Sequence, residues 1–148
     1  MVLTLEWRHR LESWRAELPR HFYRPLGTVD LAGFVTDEQL RPEAALSQEF
    51  RPMSVGTAWG PKWNYGWFKG EVTLPAEAEG QRIVLVAESG AESIIFVNGQ
   101  AAGARDRHHK EITLANSGVP GTRYELLMES YAGHGVRQVH AGPTPPDR

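Results

Sequence analysis

The stretch SIIFVNGQAAGA, residues 93–104, decides how this chain folds. Asn98-Gly99 supplies the two consecutive positive φ angles that a type I′ turn requires, with Ile94, Ile95, Phe96 and Val97 leading in and residues 100–104 leading out. That pattern is a β-hairpin. Just upstream, RIVLVAES (82–89) sets Ile83, Leu85 and Ala87 against Val84 and Val86, so both faces are apolar and a central strand is predicted. Further upstream, from Tyr65, the period is again two: Trp67, Lys69, Glu71 and Thr73 point one way, Phe68, Gly70, Val72 and Leu74 the other, and Pro75 ends the run. Downstream, strands are predicted over 111–114 and 123–131, with turn chemistry at Asn116-Ser117-Gly118 and Pro120-Gly121.

Short strands punctuated by turns, without βαβ alternation, predict a mostly β chain: an antiparallel β-sandwich of jelly-roll, galactose-binding-like type preceded by one N-terminal α-helix. The helix, over 4–18, follows from Leu3, Trp7, Leu11, Trp14 and Leu18, spaced so that they share a face. Thr4 is placed to cap it, Glu6 and Arg10 stand one turn apart on the outer side, and Pro19 stops it. A Trp-bearing stripe must be covered, either by its own domain or by a neighbouring domain or subunit. Residues 20–56 have no sustained period; their one short helical stretch, near 36–46, is interrupted by Pro42. The expected organisation is therefore a helix and connector (1–55) packing on the sandwich, the sandwich itself (56–142), and a linker (143–148) marked by Pro143, Pro145 and Pro146.

At 148 residues the chain suits one domain with a core of its own. It has no cysteine, which removes disulfides, thiolate metal ligands and sulfur nucleophiles and agrees with a cytoplasmic setting. The net charge is −2 and like charges do not cluster, so neither nucleic acid nor an anionic membrane is an expected partner. The first 15 residues carry charges every two or three positions, unlike a signal peptide or a membrane span.

The chemistry-bearing residues are few in kind. Three of the five tryptophans lie in GTAWGPKWNYGWF (56–68), where Trp59, Trp63, Tyr65 and Trp67 are candidates for stacking on a sugar or for a domain interface, against core packing as the alternative. The six histidines form no metal-binding spacing, and His108-His109 on a strand would point to opposite faces. Glycoside hydrolysis needs two carboxyl groups about the scissile bond; Glu88 and Glu92 flank a turn and read as exposed rim residues. With no phosphate-binding glycine loop and no G-x-S-x-G elbow, no catalytic residue, metal ligand or cofactor site is assigned in this chain.

The run GTAWGPKWNYGWFKGEVTLP (56–75) resembles the N-terminal region of glycoside hydrolase family 38 α-mannosidases of the bacterial, fungal and vacuolar type, at Gly56, Thr57, Trp59, Gly60, Pro61, Trp63, Trp67, Phe68 and Pro75. VLVAESGAESIIFVNGQAAG (84–103) and HHKEITL (108–114) continue the likeness through the acidic turn, the hairpin and the strand that follows. The resemblance implies a β-sandwich ahead of a catalytic domain that holds a divalent metal, usually zinc. It implies an accessory role: packing against the catalytic domain of the same polypeptide, and shaping substrate access or oligomerisation. Mannose-containing glycans and, through the parent protein, a homo-oligomer are the implied partners. An independent sugar-binding module with an aromatic stacking platform is the alternative expectation, as is, more remotely, a small metalloenzyme using His108, His109 and His134.

Overall fold

The computed structural model describes residues 4–133. Helix α1 (Leu5–Glu17) begins where Thr4 accepts a hydrogen bond from the Trp7 amide through its hydroxyl, at 3.4 Å, and Glu6 and Arg10 pair one turn apart at 2.8 Å. A 3₁₀ turn over Leu18–His21, with Pro19 early in it, follows. No residue of α1 is buried. Trp7, Leu11, Trp14 and Leu18 all remain exposed, so the stripe predicted from their spacing exists and lies open.

Eight strands follow among the described residues. Six form one antiparallel sheet in the order β2 (Arg51–Met53), β1 (Leu31–Thr36), β3 (Tyr65–Thr73), β8 (Arg123–Tyr131), β5 (Glu92–Val97) and β6 (Gln100–Arg105). The other two, β4 (Ile83–Val86) and β7 (Glu111–Ala115), pair with each other as a second layer. β5 and β6 are the predicted hairpin: Asn98 and Gly99 take φ of 51° and 78°. The Asn98 backbone donates to the Glu125 carbonyl at 2.8 Å and its side chain accepts from the Glu125 amide at 2.9 Å, which hooks the turn onto β8. Val119-Pro120-Gly121-Thr122 closes with a 3.1 Å bond from Thr122 to Val119 and Gly121 at φ 80°, the geometry that a proline followed by a glycine prepares.

Three readings of the sequence are corrected. Residues 20–56 are not an unpatterned connector, because they contribute β1 and β2 to the large sheet, and β1 pairs with β3 from Ala32↔Lys69 to Thr36↔Tyr65. Pro42 does not interrupt a helix there; it starts the short α2 (Pro42–Leu46), where its missing N–H costs nothing. The strand expected to be central, β4, pairs only with β7 among the described residues, and Val86 at its end is exposed.

Each face of the large sheet carries a core. On the inner face Phe68, Ile95 and Met128 pack with Ile112 of β7. On the outer face Trp67 and Leu127 pack with Ala45 of α2, and Phe34, Leu40, Phe50 and Phe96 close around them. Alternation along β3 thus sends Phe68 and Trp67 into two different cores. Trp67 has 0% of its surface exposed.

Candidate functional site

The aromatic run divides by depth. Trp59 packs edge-on to Phe68, with ring centroids 5.4 Å apart, and donates its indole N–H to the Ser89 carbonyl at 2.9 Å. It lies against Gly66, where a Cβ would come within 2.7 Å of the indole ring, so a glycine near the start of β3 is what admits it. Trp63 is half-buried at φ 72°, its amide donating to the Gly133 carbonyl at 2.9 Å. Trp67 is enclosed in the outer-face core. Of the four candidates, Tyr65 alone lines an open depression of about 620 Å³ on the outer face.

That depression sits where β3, β8 and β5 run side by side. The register sets Tyr65, Tyr131 and Glu92 in one cross-strand row, and Trp67, Glu129 and Ile94 in the next row of the same face. The Tyr65 and Tyr131 rings are 5.2 Å apart and inclined at 34°. Burial pushes the Glu129 carboxyl above the ordinary glutamate range, and burial with the neighbouring Tyr65 pushes the Tyr131 phenol up. No described residue makes an ion pair or hydrogen bond with the Glu129 carboxylate. Glu92 was read from the sequence as an exposed rim residue, whereas Tyr131 and Glu129 were not singled out. Nothing local marks them, since their grouping requires strands from opposite ends of the domain to lie adjacent.

The turn before β5 is held from inside. Arg105, only 4% exposed, donates to the Ala91 carbonyl at 2.6 Å and is ion-paired with Glu88, which also meets Lys110 at 3.2 Å. Lys110, Arg105 and the Gly90 amide hold the Glu88 carboxyl below its ordinary range. Glu88 is therefore a structural anchor and not a free rim carboxylate, while Glu92 faces the depression. Ser93 links Ser89 and Ser130 through hydroxyl contacts of 2.9 and 2.8 Å, completing a polar lattice under the turn.

His108 and His109 lie in the loop before β7, not on a strand. Asp106 accepts from both of their backbone amides at 2.7 Å, and its carboxyl is pulled down to about 2, chiefly by the His109 amide. Among the described residues no group of three or more His, Asp or Glu is placed to hold a metal ion. His134, His140 and the proline-rich 143–148 lie outside the described residues.

Comparison with known proteins fits this architecture. The family model described as the α-mannosidase jelly roll domain matches residues 27–148. The chain is 32% identical over 161 aligned residues to human alpha-mannosidase 2C1, with 91% of this chain and 16% of that protein covered. It is 38% identical over 73 residues to the mouse alpha-mannosidase 2C1, covering 49% of this chain and 7% of that protein. With alpha-mannosidase G of Dictyostelium discoideum it shares 26% identity over 90 residues, 57% of this chain and 8% of that protein. The chain thus spans a small part of the curated relatives it matches, and with eight antiparallel strands among the described residues it belongs to the α-mannosidase jelly roll domain family.

Proposed function

We propose that this chain is the N-terminal accessory domain of an α-mannosidase-like glycoside hydrolase of family 38, non-catalytic in itself. It packs against the catalytic domain of the same polypeptide and shapes substrate access or subunit association. The observation that carries the reading is a second, apolar groove of about 710 Å³ on the outer face, lined by Leu31, Pro42, Leu46, Pro52, Phe96 and Leu127. Leu46 stands exposed at its edge, and the stripe on α1 is open as well. A soluble domain rarely leaves such surface bare unless a neighbour covers it. The coverage of the relatives supports the same picture, since human alpha-mannosidase 2C1 has most of its length beyond the matched part.

The zinc expected of the parent enzyme belongs, in this reading, to the catalytic domain. A cytoplasmic location is part of this reading, and the cysteine-free composition is compatible with a reducing compartment. No helix among the described residues is long and apolar enough to cross a membrane.

Two measurements test the proposal. The 148-residue chain should release no product from an aryl α-mannoside. In the longer α-mannosidase polypeptide, Leu46→Asp together with Pro52→Asp should loosen the domain, giving a separate low-temperature melting transition and earlier proteolytic release of the N-terminal fragment. Hydrolysis by the chain alone, or a double variant that melts and resists protease like the parent, refutes it.

A further inference from the structure

The open depression over Tyr65 and Tyr131 shares no lining residue with the apolar groove. Its floor has a different character, with two tyrosine rings in adjacent strands and two carboxylates set beside them on the same face. Adjacent strands lie about 4.8 Å apart, so the row Tyr65, Tyr131, Glu92 extends about 10 Å between its outer Cα positions. That length spans one hexopyranose and the start of its aglycone.

Three features fit a sugar. The tyrosines present ring surface inclined at 34°, forming a shallow cradle for the apolar C–H face of a pyranose. Glu129 is a half-buried acceptor with no donor of its own among the described residues, which is an unfavourable state that a ligand hydroxyl would relieve. The β4–β5 turn that leads to Glu92 is tied down by Arg105, Glu88 and the serine lattice. The basic side chains nearby are already engaged, Arg105 by Glu88 and His109 by Asp106.

We propose that this depression is a non-catalytic saccharide subsite, which seats a hexopyranose with its C–H face on Tyr65 and Tyr131 and its hydroxyls donating to Glu92 and Glu129. Two oriented carboxylates and a half-open platform suit weak, reversible capture of a sugar, free or at the end of a glycan. The shallow wall leaves room for the rest of a chain to extend into solvent. In the context of an α-mannosidase-like enzyme, the subsite would keep glycan near the catalytic domain. The domain-packing proposal stands or falls separately, because it rests on the groove and not on this depression.

The test is titration of the 148-residue chain with methyl α-D-mannopyranoside, followed by amide chemical-shift changes. Saturation with a Kd in the millimolar range, about −4 kcal/mol, is expected, with the shifts concentrated on β3, β8 and β5. Tyr131→Ala and Glu129→Gln should each weaken it at least tenfold while retaining the parent far-ultraviolet spectrum. Should Tyr131→Ala fail to fold, Glu92→Ala, at an exposed position, serves as the second reporter. A linear, unsaturated response up to about 100 mM sugar overturns the proposal. So does binding that all of these variants retain, or saturable binding of butylammonium with none of the mannoside, which would make the depression a seat for a cation.

Discussion

Replacing Trp67 by alanine distinguishes an indole serving a core from one serving a ligand. Trp67 is fully enclosed by Ala45, Leu127, Phe34, Leu40, Phe50 and Phe96. An aromatic side chain of this size buries about 150–250 Å², which at about 25 cal/mol/Å² amounts to roughly 4–6 kcal/mol. Measured truncations of buried Phe and Trp fall at about 3–5 kcal/mol, within a total stability of about 5–15 kcal/mol. With a urea slope of about 2 kcal/mol/M, Trp67→Ala should lower the unfolding midpoint by about 2 M, read by far-ultraviolet circular dichroism. Tyr65→Ala, at a half-buried position, should lower it by less than about 0.7 M. Trp67→Phe should cost less than Trp67→Ala, since among the described residues the indole N–H makes no hydrogen bond that could be lost. A Trp67→Ala midpoint within about 0.3 M of the parent, or one higher than that of Tyr65→Ala, refutes the assignment of Trp67 to the core.

Gly118→Ala should cost about 2–4 kcal/mol in the same assay, because its Cβ would lie 2.3 Å from the Ala78 carbonyl and force apart the bonds that join Gly118 to Gly80 and Gln81. Trp7→Ser with Trp14→Ser should change stability by less than about 0.5 kcal/mol each, since neither indole is buried; a loss above 2 kcal/mol would place the helix against the sandwich. For acid unfolding, the folded-state carboxyls of Asp106 and Glu88 lie below their ordinary ranges. Their contribution is complete above the unfolded values and fades as pH falls, for Asp106 between about 4 and about 2, so Asp106→Asn should flatten that part of a stability-against-pH curve. Glu129 has the opposite sign: its raised carboxyl favours the folded state in its protonated form and loses that advantage as pH rises through the folded value, so Glu129→Gln should raise the melting temperature at pH 7 and not at pH 4.

What could be read directly from the sequence was governed by neighbours in the chain. The hairpin at Asn98-Gly99 follows from two residues that tolerate positive φ, and α1 from a cap, a spacing and a proline. Alternation along 65–74 gave the strand and the prediction that Trp67 and Phe68 diverge. The family resemblance came from the same aromatic and turn positions, and it is confirmed over 27–148. Two strands in 20–56 escaped notice because β1 is six residues long with a glycine at its middle and β2 is only three; both gain their partners from distant chain.

The candidate site was legible at Tyr65 and, as an exposed rim residue only, at Glu92, and the rest was decided by tertiary structure. Pairing β3 with β8 brings Tyr131 beside Tyr65, and pairing β8 with β5 adds Glu92. The burial that lifts Glu129 and the long side chain of Arg105 turned inward to Glu88 are likewise products of packing. Backbone propensity acts through dihedral angles and hydrogen bonds a few residues apart, and it specifies strands, turns and their alternating faces. Which faces meet, and hence which ring ends up enclosed and which carboxylate lies open, depends on contacts between distant segments that no local pattern contains.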